Sequence, residues 1–178
     1  MKRRQNLMWM GLVVAMLCGA GCQTWFFGDM RRLSRPIPEG MNFTLTTDAS
    51  ITVVGIEDYD KCDVRAFVWV WAPSWSEART LAREVNVELI CQNKDLSIEV
   101  TKPDWWDQRT NRLSMRYAVM LPPRTNIHVI STHGDVEVIN MDAAFYAAAP
   151  RGEGWCWGCG SAGIMGPAKT YLPAGKHP

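Results

Sequence analysis

The chain has 178 residues, with 19 Lys and Arg against 18 Asp and Glu. That near-zero net charge, with no basic run beyond the first few residues, gives nucleic-acid binding no electrostatic support. The length left after the first twenty-one residues suits one domain with a core of its own.

Lys2, Arg3 and Arg4 form a short basic segment, and Leu7 to Ala20 follow as an apolar run without a charge, closing on Gly19-Ala20-Gly21-Cys22. The run is too short to span a bilayer comfortably, and its flanks are those of a secretory signal. Small residues directly before a cysteine resemble the cleavage site of bacterial lipoproteins, in which the thiol carries a diacylglyceryl group. Leu is usual three residues before that cysteine; Gly19 stands there instead. The expectation is a signal peptide over 1–21 and lipidation at Cys22, a durable anchor when two acyl chains are joined by a third. Two other outcomes stay open: ordinary cleavage near Ala20 or Gly21, leaving a periplasmic protein, and an uncleaved anchor. Gln23, where Asp would favour inner-membrane retention in such lipoproteins, leans towards the outer membrane.

Residues 22–41, with Arg31, Arg32, Arg35, Pro36 and Pro38, read as a stalk lifting the domain off the membrane. Period-two alternation then sets in. Phe43 and Leu45 share one face, Asp48-Ala49-Ser50 turns the chain, and Ile51 and Val53 share a face again. From Cys62 to Trp71, Val64, Ala66, Val68 and Val70 point one way and Arg65, Phe67, Trp69 and Trp71 the other. Apolar mass on both faces predicts a central strand covered on both sides. After Pro73 the period changes. Ser74 and Glu77 have capping-box spacing, and Ala78, Leu81, Ala82 and Val85 recur at helical spacing, which predicts one amphipathic helix lying on the sheet. Val87, Leu89 and Cys91, the turn Gln92 to Asp95, then Leu96, Ile98 and Val100 predict a hairpin with one wet face. Leu113 to Leu121 alternate up to Pro122-Pro123; Ile127 and Val129 follow, and Gly134-Asp135 turns into Val136 and Val138. The prediction is a mostly β domain, a β-rich stack or sheet with one amphipathic helix packed on it.

Thr46 to Val53 and Ser131 to Val138 echo one another, each a polar turn running into a branched, alternating strand. Repeats of that kind build stacks in which each rung covers the face of the last. With the helix from Ser74, the Val87 to Val100 hairpin, Val119-Met120-Leu121-Pro122 and Gly134-Asp135-Val136-Glu137-Val138, the order resembles a bacterial adhesin-like family of domains of unknown function. Those domains carry recurrent x-Gly-Asp-Ile/Val-x-Val rungs and a V-x-L-P lead-in. The resemblance covers 42–141. It implies a β-strand-repeat stack on an exported or anchored protein and brings no catalytic residues. After Met141 the pattern is expected to stop, because 142–178 holds seven of the fourteen glycines and four of the ten prolines without alternation. Such a tail reads as a frameshifted or truncated end of the stack, or as a disordered segment.

Six cysteines fall to four once Cys18 leaves with the signal and Cys22 is acylated. Cys62 and Cys91 read as small buried hydrophobes, with a bridge between them left open. Trp155-Cys156-Trp157-Gly158-Cys159 holds a C-x-x-C. Glycines follow it where a redox motif needs a helix, whose N-terminus lowers the first thiol's pKa. His128 and His133 have no cysteine or carboxylate at metal-ligand spacing, and Asp58 and Asp60 read as turn formers. Trp105-Trp106, between Asp104 and Asp107 in a polar loop, are the binding candidates, able to stack on a sugar or enter an interface; one ring covering a core edge is the alternative. The expected function is a non-catalytic cell-envelope lipoprotein, a scaffold or surface-interaction module. Its partners would be the membrane through Cys22 and a surface glycan or protein, with no cofactor, metal or catalytic residue. The alternatives are an envelope thiol/redox protein using Cys156 and Cys159, or a truncated fragment without function.

Overall fold

The computed structural model describes residues 24–106, 111–160, 163–165 and 169–171, so the leader and Cys22 lie outside the described residues. In chain order it builds β1 (Trp25–Pro36), β2 (Asn42–Thr47), β3 (Ser50–Gly55), β4 (Lys61–Ala72), α1 (Trp75–Glu84), β5 (Asn86–Gln92) and β6 (Asp95–Thr101). It continues with β7 (Arg112–Leu121), β8 (Asn126–Ser131), β9 (Val136–Ile139), β10 (Phe145–Ala148), β11 (Glu153–Trp157), β12 (Gly163–Met165) and β13 (Lys169–Tyr171). The protein is mostly β, with one helix among the described residues packed on the sheets. Sheet A has the order β1-β4-β7-β3-β9-β11-β13 and sheet B the order β12-β10-β8-β2-β6-β5.

The logic of the fold is a stack of rungs. Each of the pairs β2/β3, β8/β9, β10/β11 and β12/β13 gives its first strand to sheet B and its second to sheet A. The strands of successive rungs pair in parallel: Phe43 with Ile127, Ile127 with Phe145, Phe145 with Gly163 in sheet B; Ile51 with Val136, Val136 with Gly154 in sheet A. Parallel pairing needs both inner faces covered, and the stack supplies this by turning the two sheets' apolar positions towards each other. Phe43, Leu45, Ile127 and Val129 from one side, and Ile51, Val53, Val136 and Val138 from the other, are all buried. The echo between Thr46–Val53 and Ser131–Val138 is the corner of two stacked rungs, tied by Thr132 N–H to the Thr47 carbonyl at 2.7 Å and Ile51 N–H to the Asp135 carbonyl at 2.8 Å.

Three sequence expectations are corrected. Residues 25–36 are not a stalk: β1 pairs antiparallel with β4 over its whole length, Trp25 opposite Ala72 through Pro36 opposite Lys61. The arginines and prolines obscured an alternation in which Phe27 and Leu33 pack against the core. The segment after Met141 does not leave the repeat. Ile127, Phe145 and Gly163 are in register at a constant step of 18 residues (127 to 145 to 163), and Gly152-Glu153 occupies the corner that Gly134-Asp135 occupies one rung earlier. Alternation was hidden there because the rung's inward positions include Ala147 and Gly154 rather than branched residues. Finally, β4 is not covered on both sides. Cys62, Val64, Ala66, Val68, Val70 and Ala72 are buried, whereas Phe67, Trp69 and Trp71 on the other face are half-buried and Arg65 is exposed.

Helix α1 closes the core on the inner side of β1 and β4. Ala78, Leu81 and Ala82 are buried, and Trp75 meets Phe27 of β1 edge to face with centroids 6.0 Å apart. The Ser74 half of the capping box forms, Glu77 N–H donating to Ser74 Oγ at 3.2 Å. At the other end the Arg31 guanidinium donates to the Ala82 carbonyl at 2.9 Å and the Arg83 carbonyl at 3.2 Å, a cation on the negative end of the helix dipole. Ser74→Ala should cost about 1 kcal/mol of stability by loss of the N-cap, measured as a lower urea midpoint at unchanged m. The β5–β6 hairpin forms as predicted, in sheet B. Cys62 lies in β4 of sheet A and Cys91 in β5 of sheet B. Cys62 is buried, Cys91 is exposed, and both are free thiols.

Candidate functional site

Register fixes which side chains share the outer face of sheet A. Opposite Trp71, Trp69, Phe67 and Arg65 of β4 stand Phe26, Gly28, Met30 and Arg32 of β1 on one side and Arg112, Ser114, Arg116 and Ala118 of β7 on the other. Farther across the sheet the same face carries Thr52 of β3, Glu137 and Ile139 of β9, and Trp155 and Trp157 of β11. A face pointing away from the core thus holds a ladder of aromatic rings bordered by arginines.

The rings lean on each other. Phe67 and Trp69 are stacked at 6.0 Å with planes 14° apart, and Phe26 meets Trp71 at 6.2 Å. Gly28 makes room for the ladder: a Cβ there would lie 3.0 Å from Trp69 Cδ1. Because Phe67 and Trp69 turn their faces to one another, that part of the ladder offers ring edges outwards, a geometry that suits an apolar interface better than stacking a flat sugar ring. Arg32, Arg65, Arg112 and Arg116 are exposed, and among the described residues none of them has a carboxylate within salt-bridge distance; the ion pairs found there are Arg31–Asp29 and Lys61–Asp63. The outer face of sheet B carries Asn42, Thr44, Asp95, Ser97, Glu88 and Glu99, polar or acidic, together with Ile90, His128 and Tyr146.

At the Pro36 end of β4, Asp63 gathers polar neighbours. Tyr59 Oη donates to Asp63 Oδ2 in a short hydrogen bond, and Lys61 Nζ lies 3.3 Å from the same oxygen. Burial works to raise the Asp63 carboxyl, but Ser34 opposite in the register, Tyr59 and Lys61 outweigh it and hold the group below the ordinary carboxylate range. The bond to Asp63 in turn pushes the Tyr59 phenol up to about 12. A carboxyl whose folded pKa lies below its unfolded value contributes stability in full above that unfolded value and loses it as pH falls through the folded one. Asp63→Asn should therefore flatten the acid limb of the stability–pH curve, read as thermal midpoints between neutral pH and the acid range. Burial raises the Cys62 thiol and the Tyr117 phenol to about 12 each, so neither is a nucleophile near neutrality.

Of the two loop tryptophans, Trp105 is 51% exposed, whereas Trp106 packs against the core with Lys102 Nζ 5.7 Å over its ring. The pair is thus divided between the roles of tip and edge cover, and Trp105 is the one accessible to a ligand. Cys156 and Cys159 form a disulfide at the end of β11. Gly158 follows with φ of +60°, and no helix succeeds it among the described residues. His133 stands over Arg151, whose guanidinium reaches Nε2 at 2.6 Å, and His128 over Tyr146 at 4.8 Å, each pair 18 residues apart in stacked rungs (133 to 151, 128 to 146). Among the described residues no group of three or more His, Cys, Asp or Glu is placed to hold a metal ion, and no helix is long and apolar enough to cross a membrane.

The arginine–aromatic face was the feature that sequence reasoning missed. Alternation had put Phe67, Trp69 and Trp71 on one side, but only the pairing with β1 and β7 brings Met30, Arg32, Arg112 and Arg116 beside them.

No protein-family model matches the chain, and no curated protein matches it. Among solved structures it is similar to a candidate cell adhesion protein from Clostridium sporogenes ATCC 15579, at 10% identity and a TM-score of 0.34 over 75% of this chain and 63% of that one. It is also similar to a candidate adhesin from Bacteroides fragilis NCTC 9343, at 11% identity and a TM-score of 0.29 over 80% of this chain and 91% of that one. A candidate adhesin from Parabacteroides merdae ATCC 43184 is similar at 10% identity and a TM-score of 0.27, over 88% and 61%. The chain thus spans less than two thirds of the Clostridium protein's length.

Proposed function

We propose that the chain is an exported, adhesin-like cell-envelope module, anchored by lipid at Cys22, that holds a partner rather than transforming one. The observation that carries this reading is the outer face of sheet A: an aromatic ladder with four exposed arginines, spread over strands of a rigid stack. The antiparallel strands β1, β4 and β7 carry this face, so a partner binds without the entropy of ordering a loop. The run ending at Gly21-Cys22 supports the anchor, and Gln23 supports the outer membrane over the inner. Trp105 adds an exposed aromatic tip for a surface glycan or protein.

The test of the anchor is direct. Cys22→Ala should abolish incorporation of labelled palmitate and shift the protein out of the membrane fraction; a variant that stays membrane-bound and as unlabelled as the parent removes the lipid reading. For the tip, Trp105→Ala with Trp106→Ala should weaken the fluorescence response to an envelope glycan or partner protein, and an unchanged titration removes that role. A second reading, thiol–disulfide exchange, is favoured by the bridged Cys156 and Cys159 at the end of β11. It requires dithiol reduction activity that disappears in Cys156→Ser.

A further inference from the structure

Strand β1 begins at Trp25, three residues after Cys22. At no more than about 3.6 Å per residue, the Trp25 Cα lies within about 11 Å of the Cys22 Cα. The polar layer of a bilayer leaflet is itself roughly 5–8 Å thick. A lipid on Cys22 therefore brings the folded domain down onto the membrane surface, and the end that arrives first is the one where β1 starts.

That end is built like a membrane-interface belt. Phe26 and Trp71 meet there on the outer face of sheet A. Trp75, at the start of α1, is 37% exposed and carries the Arg79 guanidinium 5.2 Å above its ring. Arg112 stands opposite Trp71 in the register and is exposed. Glu77 is the carboxylate on the same first helical turn. Tryptophan and arginine together suit the headgroup layer, where the indole has an apolar body and a polar N–H and the guanidinium meets phosphate. Anionic lipid adds attraction for each cation near the surface.

We infer that this end of the domain, Phe26, Trp71 and Trp75 with Arg79 and Arg112, seats in the headgroup layer of the anionic membrane that holds the anchor. The inference rests on the anchor at Cys22 for its proximity argument. Seated so, the domain is oriented: β1 and β4 rise from the membrane, and the Asp63 end of β4 stands away from it.

The experiment uses the mature protein in vesicles of phosphatidylethanolamine and phosphatidylglycerol with brominated acyl chains, which quench tryptophan at the interface. Trp25 is close enough to the anchor to be quenched in any case, so Trp25→Phe is the reference background. Quenching is expected in that background, and adding Trp71→Phe and Trp75→Phe should remove about half of it or more, as interface-seated indoles require. Trp157→Phe, an exposed indole at the far side of the same sheet, should leave quenching unchanged. Arg79→Glu with Arg112→Glu, a half-buried and an exposed position outside the core, should lower quenching in phosphatidylglycerol vesicles and leave a small difference in purely zwitterionic phosphatidylcholine. No quenching beyond Trp25, quenching carried by Trp157, or indifference to the arginine pair overturns the proposal and frees this end for a protein or glycan partner. The mass of the N-terminal peptide from the same sample reports acylation separately. An unacylated protein that is still quenched through Trp71 and Trp75 keeps the membrane seat and removes the anchor.

Discussion

Gly134→Ala should cost the protein at least about 3 kcal/mol, the upper range for forcing atoms into a packed interior. A Cβ at Gly134 would lie 2.4 Å from the Ser50 nitrogen and 2.5 Å from the Ala49 carbonyl carbon. Both are backbone atoms of the rung below, so no side-chain rotation relieves the clash. The corner is also where Thr132 and Ile51 make their inter-rung hydrogen bonds, and separating the rungs breaks them. Gly28→Ala is the control. Its Cβ would meet only the Trp69 side chain at 3.0 Å, on an exposed site, and should cost well under about 1 kcal/mol, as surface substitutions do. Urea titrations of the two variants decide the matter: equal midpoints would show that the corner can spread and that the rungs are not locked together there.

Phe43→Ala is expected to cost about 3–5 kcal/mol, the range for truncating a buried aromatic. Phe43 is fully buried in β2, paired in register with Ile127 on one side and Leu96 on the other. It therefore sits where the rungs join the β5–β6 hairpin. A cavity there has covered neighbours on both flanks and little freedom to collapse. Folded domains are stable by only about 5–15 kcal/mol, so this change alone should bring the protein close to unfolding at moderate temperature. Phe43→Leu should recover most of the loss; a Phe43→Ala midpoint within error of the parent would mean that the two sheets do not meet at this residue.

The sequence was most readable where a single face is buried by branched residues. The hairpin, α1, β4 and β7 could each be placed from periodicity, because Val64 to Val70 and Leu113 to Leu121 alternate without interruption. It was least readable where alternation uses small or charged residues. Phe27 and Leu33 of β1 face the core with Asp29 and Arg31 between them, and the Arg31 guanidinium is spent on the helix C-terminus and so tolerates the inner side. In the third rung, Ala147 and Gly154 leave room inside for neighbours rather than filling it. The signal that would have found that rung is its length: Gly134 and Gly152, like Asn140 and Gly158, are 18 residues apart (134 to 152, 140 to 158), and the latter two both take left-handed φ. For the candidate surface, the aromatic half was visible along β4, whereas most of the cationic half came from strands 33 residues away on one side (65 − 32) and 49 on the other (116 − 67), as Arg32 faces Arg65 and Arg116 faces Phe67. Pairing across such distances is a property of topology, which no window of sequence contains.

A constant step between rungs turns the exterior into columns. From β8 onward, whatever stands at one phase of the turn is stacked directly against its counterpart in the next slice, as His133 is with Arg151, His128 with Tyr146, and Glu137 with Trp155. Point changes at matching phases would therefore draw a straight line of like groups up the side of the molecule, leaving the inward positions untouched. A protein made this way can redecorate a whole flank, or lengthen it by one slice, without solving its folding problem again.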